Sequence, residues 1–152
     1  MASSQTNGMR GVFLVASELA RLGLIVSPTS RSARGADILA TTQDCTRTYS
    51  VEVKTVTKNR FWQLAEHAKS FKSRSHIYVF VRIQKASKKK AEMITYYPVK
   101  AEFVAKNARL PDPHKTAKSQ YRRGYSIDLI KVYKGSEGIE RFQGNWAPLF
   151  ER

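Results

Sequence analysis

Cysteine is almost missing from this chain: Cys45 is the single one in 152 residues. An internal disulfide is therefore excluded, and so is a C-x-x-C half-site for zinc. A lone thiol fits a reducing compartment, and a cytoplasmic location is the expectation. Long apolar runs are missing too. The longest, such as Ile77 to Val81, fall far short of the roughly 20 residues that cross a bilayer. The opening MASSQTNGMRG lacks the apolar core and the cleavage site of a signal peptide. No basic amphipathic helix with a large apolar face stands out, so a membrane is not the expected partner.

Acid is scarce. Lys and Arg number 27 against 12 Asp and Glu, a net charge of +15. That excess repels itself in a compact state, and a polyanion would relieve it. Nucleic acid is the first candidate, because counterion release drives cationic surfaces onto phosphate. The length suits one domain, 1–152, large enough to bury a core without disulfide or structural metal.

Residues 1–7 are small and polar and read as frayed. From Gly8 to Leu22 the apolar residues Val12, Ala16 and Leu19 recur at helical spacing, and Gly23 is a good stop. Leu24 to Val26, Gly35 to Thr41 and Thr48 to Thr55 read as three strands, the last rich in β-branched and aromatic residues. Asn59 to Lys72 reads as a helix with Phe61, Leu64, Ala65 and Ala68 inward. His76 to Gln84 is a near-continuous apolar run suited to a central strand. Glu92 to Tyr97 is a further strand, and Pro98 is placed to open a short helix. The core thus spans 8–100. A basic loop, 106–124, holds two prolines and little apolar content. In the C-terminal segment, 125–152, Trp146, Leu149 and Phe150 are expected to dock on the core. The order of elements is that of an α/β sandwich with a mixed sheet.

The second and third strands form a hairpin in this reading. If its turn centres between Asp44 and Cys45, paired positions sum to 89 and Asp37 faces Glu52. Opposed residues have Cβ atoms roughly 4.5–5.5 Å apart. Two unit charges about 4 Å apart repel by about 4 kcal/mol at an effective dielectric near 20, so such a pair works against stability. A divalent cation removes the penalty, because Mg²⁺ takes oxygen ligands and completes its shell with water. Lys54 falls on the same strand face as Glu52, about 6.6 Å further along. An ammonium group there can orient water or offset charge on a phosphate.

GAD at 35–37 followed by EVK at 52–54, with a glutamate on a preceding helix, resembles the PD-(D/E)XK nuclease superfamily. This group includes restriction endonucleases and archaeal Holliday-junction resolvases. The likeness covers residues 8–84. It implies a restriction-endonuclease-like three-layer sandwich, with a central mixed β-sheet and an α-β-β-β-α-β core. It also implies a metal-dependent DNA endonuclease. Asp37 and Glu52 would bind Mg²⁺, for which Mn²⁺ would substitute, with the main-chain carbonyl of Val53. Lys54 resembles the motif lysine. Glu18 resembles the first-helix glutamate that reaches the metal. Gln63 resembles a glutamine that follows the motif in some members. The motif proline is replaced by Ala36.

Arg31, Arg34, Lys58 and Arg60 flank the motif, and Lys115, Lys118, Arg122 and Arg123 fill the basic loop. Clustered cations around two acids point to phosphate contacts. The expected partner is DNA, duplex or branched. Paired cuts in a duplex or a four-way junction would need a homodimer. His67, His76 and His114 share no ligand spacing; the first two read as packed or surface histidines, and His114 sits in the basic loop. Two other functions fit the charge: a non-catalytic nucleic-acid-binding module on the same fold, and an RNA-binding structural protein.

Overall fold

The computed structural model describes residues 3–30, 35–57, 61–84, 91–110, 124–129 and 139–150. Helix α1, Ser4–Arg21, starts earlier than its apolar pattern suggests. The reason is a cap: the Ser3 hydroxyl accepts the Thr6 N–H at 3.1 Å. The helix ends where Leu24 N–H returns to the Leu19 carbonyl and Gly23 N–H to the Ala20 carbonyl. That closure needs a left-handed residue, and Gly23 supplies it with φ 85°.

Strands β1 (Ile25–Pro28), β2 (Ile38–Thr41), β3 (Thr48–Val56), β5 (His76–Gln84) and β6 (Met93–Lys100) form one sheet in the order β1-β2-β3-β5-β6. All neighbours are antiparallel except β3 and β5, which run parallel in the middle. A parallel pair needs a crossover. Here it carries β4 (Trp62–Leu64) and one 3₁₀ turn, Glu66–Lys69. β4 pairs with β7 (Tyr125–Ile127) in a small second sheet.

The long helix expected over 59–72 is therefore not formed within the described residues. Trp62 and Leu64 are buried with Gln63 exposed between them, a period of two. Their partner strand lies some sixty residues further on, so local spacing gives no hint of it. The helix expected at Pro98 also begins later. α2 covers Ala101–Asn107, while Pro98 sits in β6 opposite Val79. β6 is an edge strand, where a residue without an N–H is tolerated.

Alternation along the central strands sorts the side chains into two layers. Val51, Val53, Ile77, Val79 and Val81 meet Val15 and Leu19 of α1, joined by Trp146 and Leu149 from the C-terminal segment. Phe150, expected to dock beside them, is 42% exposed. On the other face Tyr78 and Phe80 pack with Trp62, Leu64, Ala68, Val104 and Ile127. α1 lies close on its layer because Gly11 sits against Thr55; a Cβ at Gly11 would come 1.8 Å from the Thr55 hydroxyl. No helix among the described residues is long and apolar enough to cross a membrane.

Candidate active site

The β2–β3 register is the one the hairpin reading predicts. Ile38↔Val51, Leu39↔Ser50, Ala40↔Tyr49 and Thr41↔Thr48 all sum to 89. The ladder stops one residue short of Asp37 and Glu52. Asp37 N–H donates to the Val51 carbonyl, toward β3, while the Asp37 carbonyl accepts Thr29 N–H, toward β1. In a regular strand both groups of one residue point the same way. Asp37 therefore makes a bulge-like step. Its carboxylate reaches the main chain of β3 instead: Oδ2 accepts the Val53 N–H at 2.7 Å.

Glu52 is the centre of the opposite-face cluster. It is 4% exposed and points to the face that holds Tyr78, its register partner on β5. Lys54 Nζ lies 2.7 Å from Oε1. His67 Nε2 lies 3.1 Å and His76 Nε2 3.6 Å from Oε2. Burial pushes the Glu52 carboxyl up. The close approach of His76, the charge and bonding of Lys54, and the bond with His67 outweigh it and hold the group well below the usual carboxylate range. The carboxylate is thus ionised while almost fully buried. Beneath it the Tyr78 phenol is pushed far up, first by burial and then by the Glu52 charge. Both the Tyr78 hydroxyl and His76 Nε2 are buried without a hydrogen-bond partner among the described residues.

His76 is held from behind. Its Nδ1 and Ser50 Oγ are 2.8 Å apart, and its ring makes T-shaped contacts with Phe71 at 4.5 Å and Tyr78 at 4.9 Å. The GAD segment reaches the same cluster, since a Cβ on Gly35 would stand 3.6 Å from His67 Nε2.

Glu18 is not brought to this cluster. It is on α1, which covers the other face of the sheet, and pairs with Arg21 at 2.8 Å. Its charge is felt by Tyr96 on β6, whose phenol is raised by burial and then by Glu18. The expectation that Glu18 reaches a metal beside Glu52 is therefore corrected: the sheet separates them. Gln63 is exposed on β4 opposite Ser126. Arg31, Arg34, Lys58, Arg60, Lys115, Lys118, Arg122, Arg123 and His114 lie outside the described residues.

Sequence reasoning missed His67, His76, Ser50 and Tyr78. Three of them carried a signal. In a central parallel pair, 50 and 52 share a face with 76 and 78, as the register Ser50↔His76 and Glu52↔Tyr78 bears out. His67 carried none, because the turn that presents it was read as helix.

Among the described residues no three His, Cys, Asp or Glu side chains converge as a metal-holding group. Asp37 and Glu52 still offer two carboxylates. The Val53 carbonyl shares the strand side of the N–H that Asp37 accepts. Two carboxylates and a carbonyl are the hard oxygen donors that Mg²⁺ takes, with water filling the rest.

The fold is similar to that of a bacterial homing endonuclease. That structure, I-Ssp6803I, superposes with a TM-score of 0.53 over 97% of this chain and 91% of its own, at 11% identity. The match runs nearly end to end, so it concerns the whole arrangement of layers and not one motif. No family model matches the chain, and no curated protein matches it.

Proposed function

We propose that this chain is a metal-dependent DNA endonuclease with the restriction-endonuclease-like PD-(D/E)XK arrangement. The observation that carries the reading is Glu52: a buried carboxylate with Lys54 at 2.7 Å, one strand from Asp37. A fold similar to a homing endonuclease and a net charge of +15 support it.

Asp37, Glu52 and the Val53 carbonyl would hold Mg²⁺ or Mn²⁺. When bound, the ion supplies a Lewis acid that offsets phosphate charge and activates water. Lys54 holds Glu52 in place and carries a positive charge beside the phosphate that the site would receive. Arg31, Arg34, Lys58, Arg60, Lys115, Lys118, Arg122 and Arg123 would meet the DNA backbone. Junction or duplex cutting would use two copies of the chain.

The test is incubation of plasmid, single-stranded and branched DNA with Mg²⁺ or Mn²⁺, with and without chelator. Chelator-sensitive cleavage that is lost in Glu52→Gln and Lys54→Ala, with DNA binding kept, is the expected result. Binding without cleavage on every substrate would select a non-catalytic DNA-binding module instead.

A further inference from the structure

The segment leading into β5, residues 71–75, is exposed throughout. Phe71 leaves 38% of its surface in water. It makes T-shaped contacts with both histidines of the cluster, at 4.5 Å to His76 and 6.1 Å to His67. Those imidazoles stand 3.6 and 3.1 Å from the same oxygen of Glu52. Phe71 is therefore one side chain removed from the buried carboxylate, and it faces solvent. Lys72 and Arg74 follow it, both exposed, and neither joins an ion pair among the described residues.

A partly exposed aromatic ring followed by two exposed cations is a composition that suits single-stranded nucleic acid. The ring stacks on a base of any identity, and the cations track phosphates. A protein partner fits less well, because lysine is depleted in interface cores.

We propose that Phe71, Lys72 and Arg74 form a docking site for unpaired DNA next to Glu52. One unstacked base lies on Phe71, and the phosphates on either side lie on Lys72 and Arg74. The inference rests on the endonuclease reading and adds a substrate class to it: DNA with unpaired bases at the cut, as in flaps, bubbles and junctions, ahead of continuous duplex.

The test uses the full chain, chelator, and two labelled DNAs: a continuous duplex, and the same duplex with a three-nucleotide bubble holding 2-aminopurine. Anisotropy gives affinity at several salt concentrations, and 2-aminopurine emission reports stacking. Wild type is expected to prefer the bubble and to quench the probe. Phe71→Ala should lose about tenfold on the bubble and little on the duplex. Phe71→Trp should keep the preference. Phe71→Leu, which refills the packing without a ring, should behave like Phe71→Ala. Lys72→Ala with Arg74→Ala should flatten the plot of log affinity against log salt by about 1.4 on the bubble DNA, whose contacted phosphates are single-stranded. Phe71→Leu binding the bubble as wild type does, or an unchanged salt slope, overturns the proposal while cleavage elsewhere leaves the endonuclease reading standing. No DNA binding by wild type overturns both.

Discussion

Lys54 Nζ stands 2.7 Å from Glu52 Oε1, two residues further along the same strand and on the same face. The ammonium group is 28% exposed and the carboxylate 5%, so the pair runs from solvent into the protein. In the free protein this lysine meets the negative charge that the proposed ion would otherwise meet. The endonuclease proposal thus gives the pair two jobs, and substitutions should separate them.

Glu52→Gln keeps the shape and removes the charge. It should abolish metal-dependent cleavage and leave DNA affinity within about twofold, since a buried group contributes no phosphate contact. Lys54→Ala should lower cleavage by about 100-fold and destabilise the fold by about 1–3 kcal/mol, because a buried acceptor loses a donor. Single-turnover rates, anisotropy and urea melts read these separately. A Lys54→Ala protein that cleaves at the wild-type rate would remove the lysine from the chemistry.

Acid stability should depend on the same carboxylate. Burial raises its pKa, but His76, Lys54 and His67 act against that and hold the folded group well below the usual carboxylate range. The stabilisation it provides is then present above about pH 4.5 and is lost as pH falls toward the folded pKa. Urea midpoints measured from pH 7 to pH 3 should drop more steeply for wild type than for Glu52→Gln. Parallel curves would show that Glu52 is not held ionised by its neighbours.

Ser50→Ala tests the support of His76. The substitution leaves Nδ1 of a fully buried imidazole without its partner at 2.8 Å. A loss of about 1–3 kcal/mol is expected in a urea melt. The cleavage rate should fall with no change in DNA affinity, as His76 loses its orientation toward Glu52.

Gly11→Ala addresses the contact of α1 with the sheet. The new methyl would collide with the Thr55 side chain, 1.8 Å from its hydroxyl and 3.0 Å from its Cβ. A cost of about 1–3 kcal/mol or more is expected. Adding Thr55→Ala removes the nearer collision and should restore part of the stability. A Gly11→Ala protein as stable as wild type would mean that α1 can shift freely on β3.

The sequence made the central elements readable where one signal dominated. β5 matches its apolar run residue for residue, from His76 to Gln84. The hairpin register follows from its turn, because each slip by one residue would invert the faces of Tyr49 and Val51. Reading failed where a distant partner decides. Trp62 to Leu64 is a strand only because Tyr125 to Ile127 pairs with it. Glu18 looked like a site residue because its helix precedes the motif. Chain order does not say which side of a sheet a helix will cover. Asp37 shows an intermediate case: its neighbourhood was legible, while the step that turns its carboxylate onto the Val53 N–H was not.

The parallel pairing of β3 with β5 has a kinetic consequence. Ser50 and His76 are 26 residues apart in the chain, and no hairpin brings them together. That contact forms only after a costly loop has closed, late for its size compared with the local β2–β3 turn. Until then Glu52 has Lys54 beside it but neither histidine. The complete cluster therefore waits on the pairing of β3 with β5, and a half-folded chain does not present it.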